Sequence, residues 1–567
     1  MKSTHLPQYQ DAIGFEEALG ALNDPENLFT PTQILRLDEA EIFPEEQAKQ
    51  LTALGMNAHY LPVALGGKLA SFESFIQVFR SLYRRDSSLG LGYGATTFMA
   101  AMPIFLAGTP QQKERMAALI LAGHTLSVAY HEASHGNDIL GNEVYASEDK
   151  LGEHQLYGQK WVINNAAVSA GFTVFAKTAV EGGGRGFSLF FVDTLMQKTQ
   201  TLTMLPKVKT LGVRGCRIAG VEFNATTAQM IGQKGQGVEL TFKAFQITRA
   251  TLPGMSLGAA DTALRTVMDF AHRRVLYSHT LIKLPHVNET LVDSFIQLLI
   301  CDAVSITAAR ALHVIPEQMS IIAASSKFFI PKTIQTMLKK LAVILGARHY
   351  IRGEAHSLFE KILRDYPVVS LGHSSDVICL QTLLPQMRFL LNKSHTGSML
   401  LQNILDLFSL DRPLPEFDAF HLKISNGGYH DILQSLPFIE QMLPKEMAFS
   451  LQPTLSMLRT ALLNLKENEY LLATSIATFS ESTYIFLETY IRIFVALSCI
   501  WLWICNQAAL GGFFAQGGWL LLALNLLFPE QILTKHQQAT LRVEALAQLN
   551  ALHITNSSFA LIPIHYS

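Results

Sequence analysis

The chain has 567 residues, of which 49% are hydrophobic and 16% charged, and its formal net charge is −2. That length exceeds one hydrophobic core and predicts several packed units, roughly two to four. The near-neutral charge leaves no basic footprint for nucleic acid, and an aromatic content of 9% excludes a disordered chain.

The amino terminus has no apolar h-region, so no signal peptide is expected and the cytoplasm is the expected compartment. From about residue 15 to 123 apolar residues recur at helical spacing, except in the punctuated loop Leu61-Pro62-Val63-Ala64-Leu65-Gly66-Gly67. The period then changes. Residues 125–130, 172–176 and 187–192 are short β-branched or aromatic runs between glycines and charges, which predicts strands. This block reaches about residue 223 and closes near Gly235-Gln236-Gly237. Helices return over 257–274, with Leu264, Val267, Met268 and Ala271 on one face, then over 289–312 and 332–345. A further helical tail starts near residue 398. Its uncharged stretch 493–529 is long enough to span a membrane. Asn506, Gln507, Gly511-Gly512 and Gly517-Gly518 interrupt it, so two shorter buried helices with a Gly-rich turn are expected, and membrane insertion is not. Cys216, Cys301, Cys379, Cys499 and Cys505 form no CxxC pair and are expected as buried free thiols, with no metal site. The predicted order is an N-terminal helical domain (1–124), a β domain (125–235), a helical bundle (236–395) and an additional helical domain (396–567).

Three clusters could carry chemistry. His131-Glu132-Ala133-Ser134-His135-Gly136-Asn137-Asp138 follows a strand and offers amides and short polar side chains, although a hydrated loop would look the same. His131 and His135 suggest a metal, but no third ligand is expected nearby, so a metal site is not expected. Trp161, within Gly158-Gln159-Lys160-Trp161-Val162-Ile163-Asn164, could stack on a flat cofactor or simply pack. Arg273 and Arg274, at a helix end, could grip a pyrophosphate or merely complement the helix dipole.

In this order the clusters resemble the acyl-CoA dehydrogenase family, over about residues 50–390. Leu61-Pro62 with Gly66-Gly67 is similar to its "PeeyGG" loop, His131 to Asp138 to "TEPgaGSD", and Gly158 to Asn164 to "GxKxWITN". Lys209-Thr210-Leu211-Gly212-Val213-Arg214-Gly215 is similar to "kxGxrgs", and Arg249 through Gly258 to "RxxxaaxxxG". Arg274-Val275-Leu276-Tyr277 is similar to "RxxFg", and Leu345-Gly346 with Arg364-Asp365 to a glycine turn and "RD". The resemblance implies a mainly α fold with a central β-barrel or sandwich-like domain, a C-terminal four-helix bundle and, as in longer members, an additional helical domain. It implies FAD, bound jointly by the strand domain and the second helical domain. His131 and Asn137 would touch flavin and pyrophosphate, Trp161 would lie along the isoalloxazine edge, and Ser375 would also contact the cofactor. Ile163 stands where the family usually has a Thr whose hydroxyl bonds the flavin. Arg274 and Tyr277 would reach a neighbouring subunit's FAD, implying a homodimer or homotetramer, and Gly346 would allow close approach of its adenosine-diphosphate part. Arg249 is expected at the substrate. The implied reaction is α,β-dehydrogenation of an acyl-CoA or an acyl-carrier protein, with an electron-transfer flavoprotein as an acceptor.

The family's reaction needs a base for the proton next to the thioester. Its usual Glu stands about nine residues after the "RD" arginine, and here that position is His373. Some members carry the Glu just before the helix-start arginine, and here that residue is Thr248. Three readings stay open: His373 is the base, Asp376 or Glu354 takes its place, or the protein binds FAD and acyl groups as a scaffold without the usual dehydrogenation.

Overall fold

Seven strands form the central sheet: β1 Thr125–Ala129, β2 Tyr145–Glu148, β3 His154–Ile163, β4 Ser169–Lys177, β5 Phe187–Asp193, β6 Leu202–Met204 and β7 Ala219–Ile231. The structure is a computed structural model describing residues 6–150, 152–197, 200–353, 356–372, 375–393, 398–472, 478–529 and 533–566. The chain folds into two compact units. The barrel unit is Leu22–Ala70 with Arg85–Thr248; the helical unit is Met1–Ala21, Ser71–Arg84 and Arg249–Ser567.

In the barrel unit β4 pairs antiparallel with β5, β5 with β7, β7 with β3 and β3 with β2. β2 returns to β4 at the single pair Tyr145–Lys177, closing the ring. β1 runs parallel along the same edge of β4, and β6 shares an edge of β7 with β5. Closure removes most free edges, and inward residues such as Leu156, Phe172, Val174, Phe190, Val192, Val221 and Phe223 fill the interior. β7 runs eight residues past the boundary expected near residue 223. Its later half alternates exposed polar residues with buried Ala228 and Ile231, which is a half-buried strand and not a loop. A helical run over Ser87–Ala107 begins at the cap made by Asp86, whose carboxylate accepts from Ser88 N and Leu89 N at 3.1 Å each. Its last part, Thr96–Ala107, lies on β1 and β4, where the Thr173 hydroxyl donates to the Ala100 carbonyl at 2.7 Å.

The helical unit is built on Leu257–Arg273, Pro285–Val314 and Met319–Leu345, which pack on one another. Two glycines set how closely its helices cross. A Cβ on Gly258 would stand 2.2 Å from the Arg80 carbonyl oxygen, and one on Gly254 would stand 2.0 Å from Ser305 Oγ. The third helix starts thirteen residues before the expected Lys332. Pro331 forfeits one helical hydrogen bond, yet the preceding turns are buried almost all round, and that packing keeps them helical.

The C-terminal extension is also helical, with Ser398–Phe408, Lys445–Glu467, Glu481–Leu510, Gly518–Leu527 and Lys535–Ile554 as its main elements. Arg310 anchors it. Its guanidinium pairs with Glu73 at 2.8 Å and donates to the Leu407, Asp406 and Ser409 carbonyls at 2.6, 3.0 and 2.8 Å, capping the end of Ser398–Phe408. The 493–529 stretch differs in part from expectation. Its first helix belongs to a thirty-residue helix, and glycines at positive φ (Gly511, Gly512, Gly517) then break the chain into two short ones. Trp501, Trp503 and Trp519 are buried there. Among the described residues three helices are long and apolar enough to cross a membrane, but 78 to 89% of each most apolar window is buried inside the protein. The five cysteines are free thiols, four buried and Cys505 partly so.

Candidate functional site

In the barrel unit the turn after β1 is organised by one buried ion pair. Lys160 Nζ, fully buried on β3, donates to Glu132 Oε1 at 2.7 Å and to the Tyr130 carbonyl at 3.2 Å. The Glu132 carboxylate also accepts from Glu143 N at 2.7 Å and Val144 N at 3.0 Å. Burial alone would push the Glu132 carboxyl up, but Lys160 and the two amides outweigh it and hold it below its ordinary value. Burial brings the Lys160 ammonium down to about 8, against the pull of Glu132. Sequence reasoning overlooked this pair, although both residues lie inside the quoted motifs. The metal-ligating groups that come together are not the His131 and His135 pair weighed from sequence: Glu132, His135 and Glu143 bring ligand atoms within 4.8 Å of one another, without His131. Any cation there would compete with Lys160 for Glu132.

Trp161 sits where β3 breaks register. Lys160 pairs with Val221 and Ile163 with Ala219, so Trp161 and Val162 form a bulge. Val162 takes φ 58°, a costly conformation for a β-branched residue. The bulge turns the indole outward, leaving Trp161 42% exposed, while its backbone N–H donates to the His131 carbonyl at 2.9 Å. His131 Nδ1 donates to the Gly136 carbonyl at 3.2 Å, and burial holds its pKa down. Trp161, Val162 and the His131 turn are thus brought together, with Asn137 exposed in the same turn. Ile163 is placed elsewhere, inside the barrel core with Ala129, Ala166 and Phe172.

In the helical unit two buried cations bind Thr382 and Val369, which lie on either side of residue 373 in the sequence. Arg249 is 3% exposed and donates to Thr382 Oγ1 at 3.4 Å; burial lowers its pKa. Lys327, equally buried, donates to the Val369 carbonyl. Burial lowers the Lys327 pKa to about 8, with Cys379 and Asp376 opposing that shift and Arg249 adding to it. Each cation stands four residues before a proline in its own helix, Pro253 and Pro331, so neither backbone carbonyl receives an i+4 N–H. Asp376 opens the helix Asp376–Leu383; burial raises its pKa, and its Oδ1 has no hydrogen-bond partner among the described residues. His373 and Glu354 lie outside the described residues. Ser375 caps the Asp376 helix through its backbone, its carbonyl accepting from Cys379 N at 3.2 Å. The "RD" pair is internal: Arg364 binds Glu360, and Asp365 binds Lys361 at 2.5 Å.

Arg274 ends the helix Leu257–Arg273 and leads into a two-stranded hairpin turned by Tyr277 and Ser278, at φ 50° and 64°. Tyr277 is 86% exposed. The Arg274 side chain is exposed and makes no hydrogen bond or ion pair with the described residues. Gly346 ends Met319–Leu345 at φ 59°, with nothing within 4 Å of where a Cβ would sit.

Three family models match the chain in sequence order. They are the acyl-CoA dehydrogenase N-terminal domain over residues 29–124, the middle domain over 127–226 and the C-terminal domain over 235–382. The chain belongs to the acyl-CoA dehydrogenase family. It is 25% identical over 385 residues to the "Probable acyl-CoA dehydrogenase FadE25" of Mycobacterium tuberculosis, covering 66% of this chain and 94% of that one. Among solved structures, butyryl-CoA dehydrogenase from Megasphaera elsdenii superposes with a TM-score of 0.61 at 21% identity, over 66% of this chain and 96% of that one. An acyl-CoA dehydrogenase from Bacillus anthracis, solved in complex with FAD, gives a TM-score of 0.61 at 16% identity over 97% of both chains. The C-terminal extension therefore has a counterpart within this fold.

Proposed function

We propose that this family member is an FAD-dependent dehydrogenase of acyl thioesters, carried on CoA or on a carrier protein. The observation that carries the reading is the Trp161–Val162 bulge, which holds a large, half-exposed aromatic ring beside a turn of polar groups. The residues present fit FAD with one departure. In the barrel unit the His131–Asp138 turn and Trp161 would hold it. In the helical unit the unpartnered Arg274, exposed Tyr277 and open Gly346 would reach the FAD of a second subunit, and Ser375 would lie near the cofactor. The departure is Ile163, which has no hydroxyl and lies in the barrel core. Bound FAD would supply an acceptor for the hydride leaving the acyl chain, and an electron-transfer flavoprotein would take the electrons on. The protein's own part is to remove the neighbouring proton. His373 holds the family position for that base, and Asp376, with its raised pKa, is the carboxylate alternative. A second reading, a flavoprotein scaffold that has lost the reaction, is favoured by His373 and Thr248 standing where family members place a carboxylate.

The test is anaerobic. Purified protein should carry FAD, sediment as at least a dimer, and bleach when an acyl thioester is added, faster as pH rises through the imidazole range near about 6.5. His373→Ala should slow bleaching on the order of a hundredfold. Equal bleaching in wild type and His373→Ala would move the base to Asp376. If wild type fails to bleach with any acyl thioester while His373→Glu does, the scaffold reading holds.

A further inference from the structure

The helix Leu257–Arg273 carries a polar stripe along one side, and a later part of the chain binds that stripe step by step. Asp261, Arg265, Asp269 and His272 stand at i, i+4, i+8 and i+11, the spacing that places them on one face. Their partners run the other way along the chain. Phe559 N donates to Asp261 Oδ2 at 2.6 Å, and Arg265 Nη2 donates to the Ser557 carbonyl at 2.7 Å. His553 Nε2 donates to Asp269 Oδ1 at 3.1 Å, and His272 Nε2 donates to Asn550 Oδ1 at 3.0 Å. The His272 and His553 rings stack, 5.6 Å apart at 20°. Burial would raise the Asp269 carboxyl, but the bond from His553, with the charges of His553, Arg273 and Arg265, holds it below its ordinary value. It therefore meets His553 as a carboxylate. Burial falls along the stripe, from Asp261 at 5% exposure to the exposed His272. The inner links pin the helix in the core, where Arg265 also stacks on Phe559 at 4.4 Å, and the outer links hold its end.

That end carries Arg274. Arg274 N donates to the Phe270 carbonyl, and the Arg274 carbonyl accepts from Leu281 N, both at 2.8 Å. The hairpin turned by Tyr277 and Ser278 therefore hangs on the last turn of the helix, and whatever holds that turn aims the hairpin. Asn550 and His553 are themselves fixed, because their neighbours Leu549 and Leu552 are buried on the last turns of Lys535–Ile554. We propose that Asn550 and His553 are positioning residues that brace the end of Leu257–Arg273 and so aim Arg274 at the FAD of a second subunit. This rests on the reading that Arg274 reaches that cofactor. The C-terminal extension, which lies beyond the residues matched by the family models, thereby acts on cofactor retention.

Hydrogen exchange and FAD titration of the full chain test this without turnover. With Asn550→Ala and His553→Ala combined, exchange over residues 268–281 should quicken on the order of tenfold, with the peptides over 557–566 and the barrel unchanged. The FAD dissociation constant should rise on the order of tenfold as well. Either single substitution, expected at about threefold, repeats the comparison should the double variant not fold. His553→Gln keeps a donor for Asp269 and should stay close to wild type in both measurements. Arg274→Ala should itself weaken FAD, and adding the double substitution to it should weaken FAD no further. Unchanged exchange over 268–281, or an unchanged FAD dissociation constant, overturns the brace. So does an FAD loss as large in the Arg274→Ala background as in wild type, which is what general loosening would give. If exchange quickens while Arg274→Ala alone binds FAD like wild type, the reading of Arg274 as an FAD contact is what fails.

Discussion

Lys160 in the barrel unit and Lys327 in the helical unit have the same residue type, the same near-complete burial and pKa values brought down to about 8. They differ in what they hold. Lys160 neutralises Glu132, a carboxylate already fixed by two backbone amides, so the pair is a closed unit that sets the turn after β1. Lys327 holds one carbonyl and faces another buried cation, Arg249. Burial alone therefore says little about a charged group's role. The partner decides whether the charge belongs to the architecture or can be released.

The largest expected effect breaks the closed unit. Lys160→Met leaves the Glu132 carboxylate buried without its cation and should cost about 3–5 kcal/mol of unfolding free energy, read by denaturant melts. Adding Glu132→Gln should recover part of that loss. A melt unchanged by Lys160→Met would mean that the ion pair contributes nothing to the barrel.

The next effect concerns buried groups that stay neutral. In the helical unit His430 Nδ1 accepts from Leu433 N at 3.0 Å, and His313 Nε2 accepts from Phe72 N at 3.1 Å. Protonating either nitrogen breaks that bond, and burial brings both imidazoles from 6.5 down to about 4. Between those values the unfolded chain binds more protons than the folded one, so their contribution is complete above pH 6.5 and lost as pH falls towards 4. Each imidazole should account for on the order of 3 kcal/mol over that window. His430→Asn keeps a cap acceptor and removes one titration, so its acid-side loss should be shallower in melts taken across the range. An equal slope in wild type and variant would rule His430 out as a source.

Much of the fold could be read from residue pattern alone, and the failures share a cause. The strands at 187–193 and 125–129 were plain because β-branched and aromatic runs sat between glycines. The far half of β7 and the first half of Met319–Leu345 were lost to local rules, polarity in one and Pro331 in the other, that packing overrode. Trp161 and the Arg274 turn were legible as motifs, and Gly258 now has a physical account in its contact with the Arg80 backbone. Ile163 did not follow, because the bulge that turns Trp161 outward returns the next strand position to the core. Lys327 went unnoticed because a lysine in a helix usually marks a solvated face. The signal was there: it is the only charge between Gln318 and Pro331, in a run otherwise apolar or small.

The smallest effect is also the sharpest test of the contrast, because its sign should reverse. Lys327→Met removes a hydrogen bond to one carbonyl but also a buried ammonium with no carboxylate bound to it. Lowering that proton's affinity from 10.5 to about 8 means the fold disfavours the charged form below pH 8. Replacing such a charge with a well-packed apolar side chain is neutral or stabilising, here by about 0–2 kcal/mol at neutral pH. The advantage should then shrink with pH. Between about 8 and 10.5 the unfolded wild-type chain holds the proton that the folded one has released, so wild-type stability rises through that window while the variant gains nothing from this site. Melts of both proteins at neutral and alkaline pH check this. If Lys327→Met costs as much as Lys160→Met, Lys327 is as architectural as its barrel counterpart, and the distinction between a paired and an unpaired buried lysine fails in this protein.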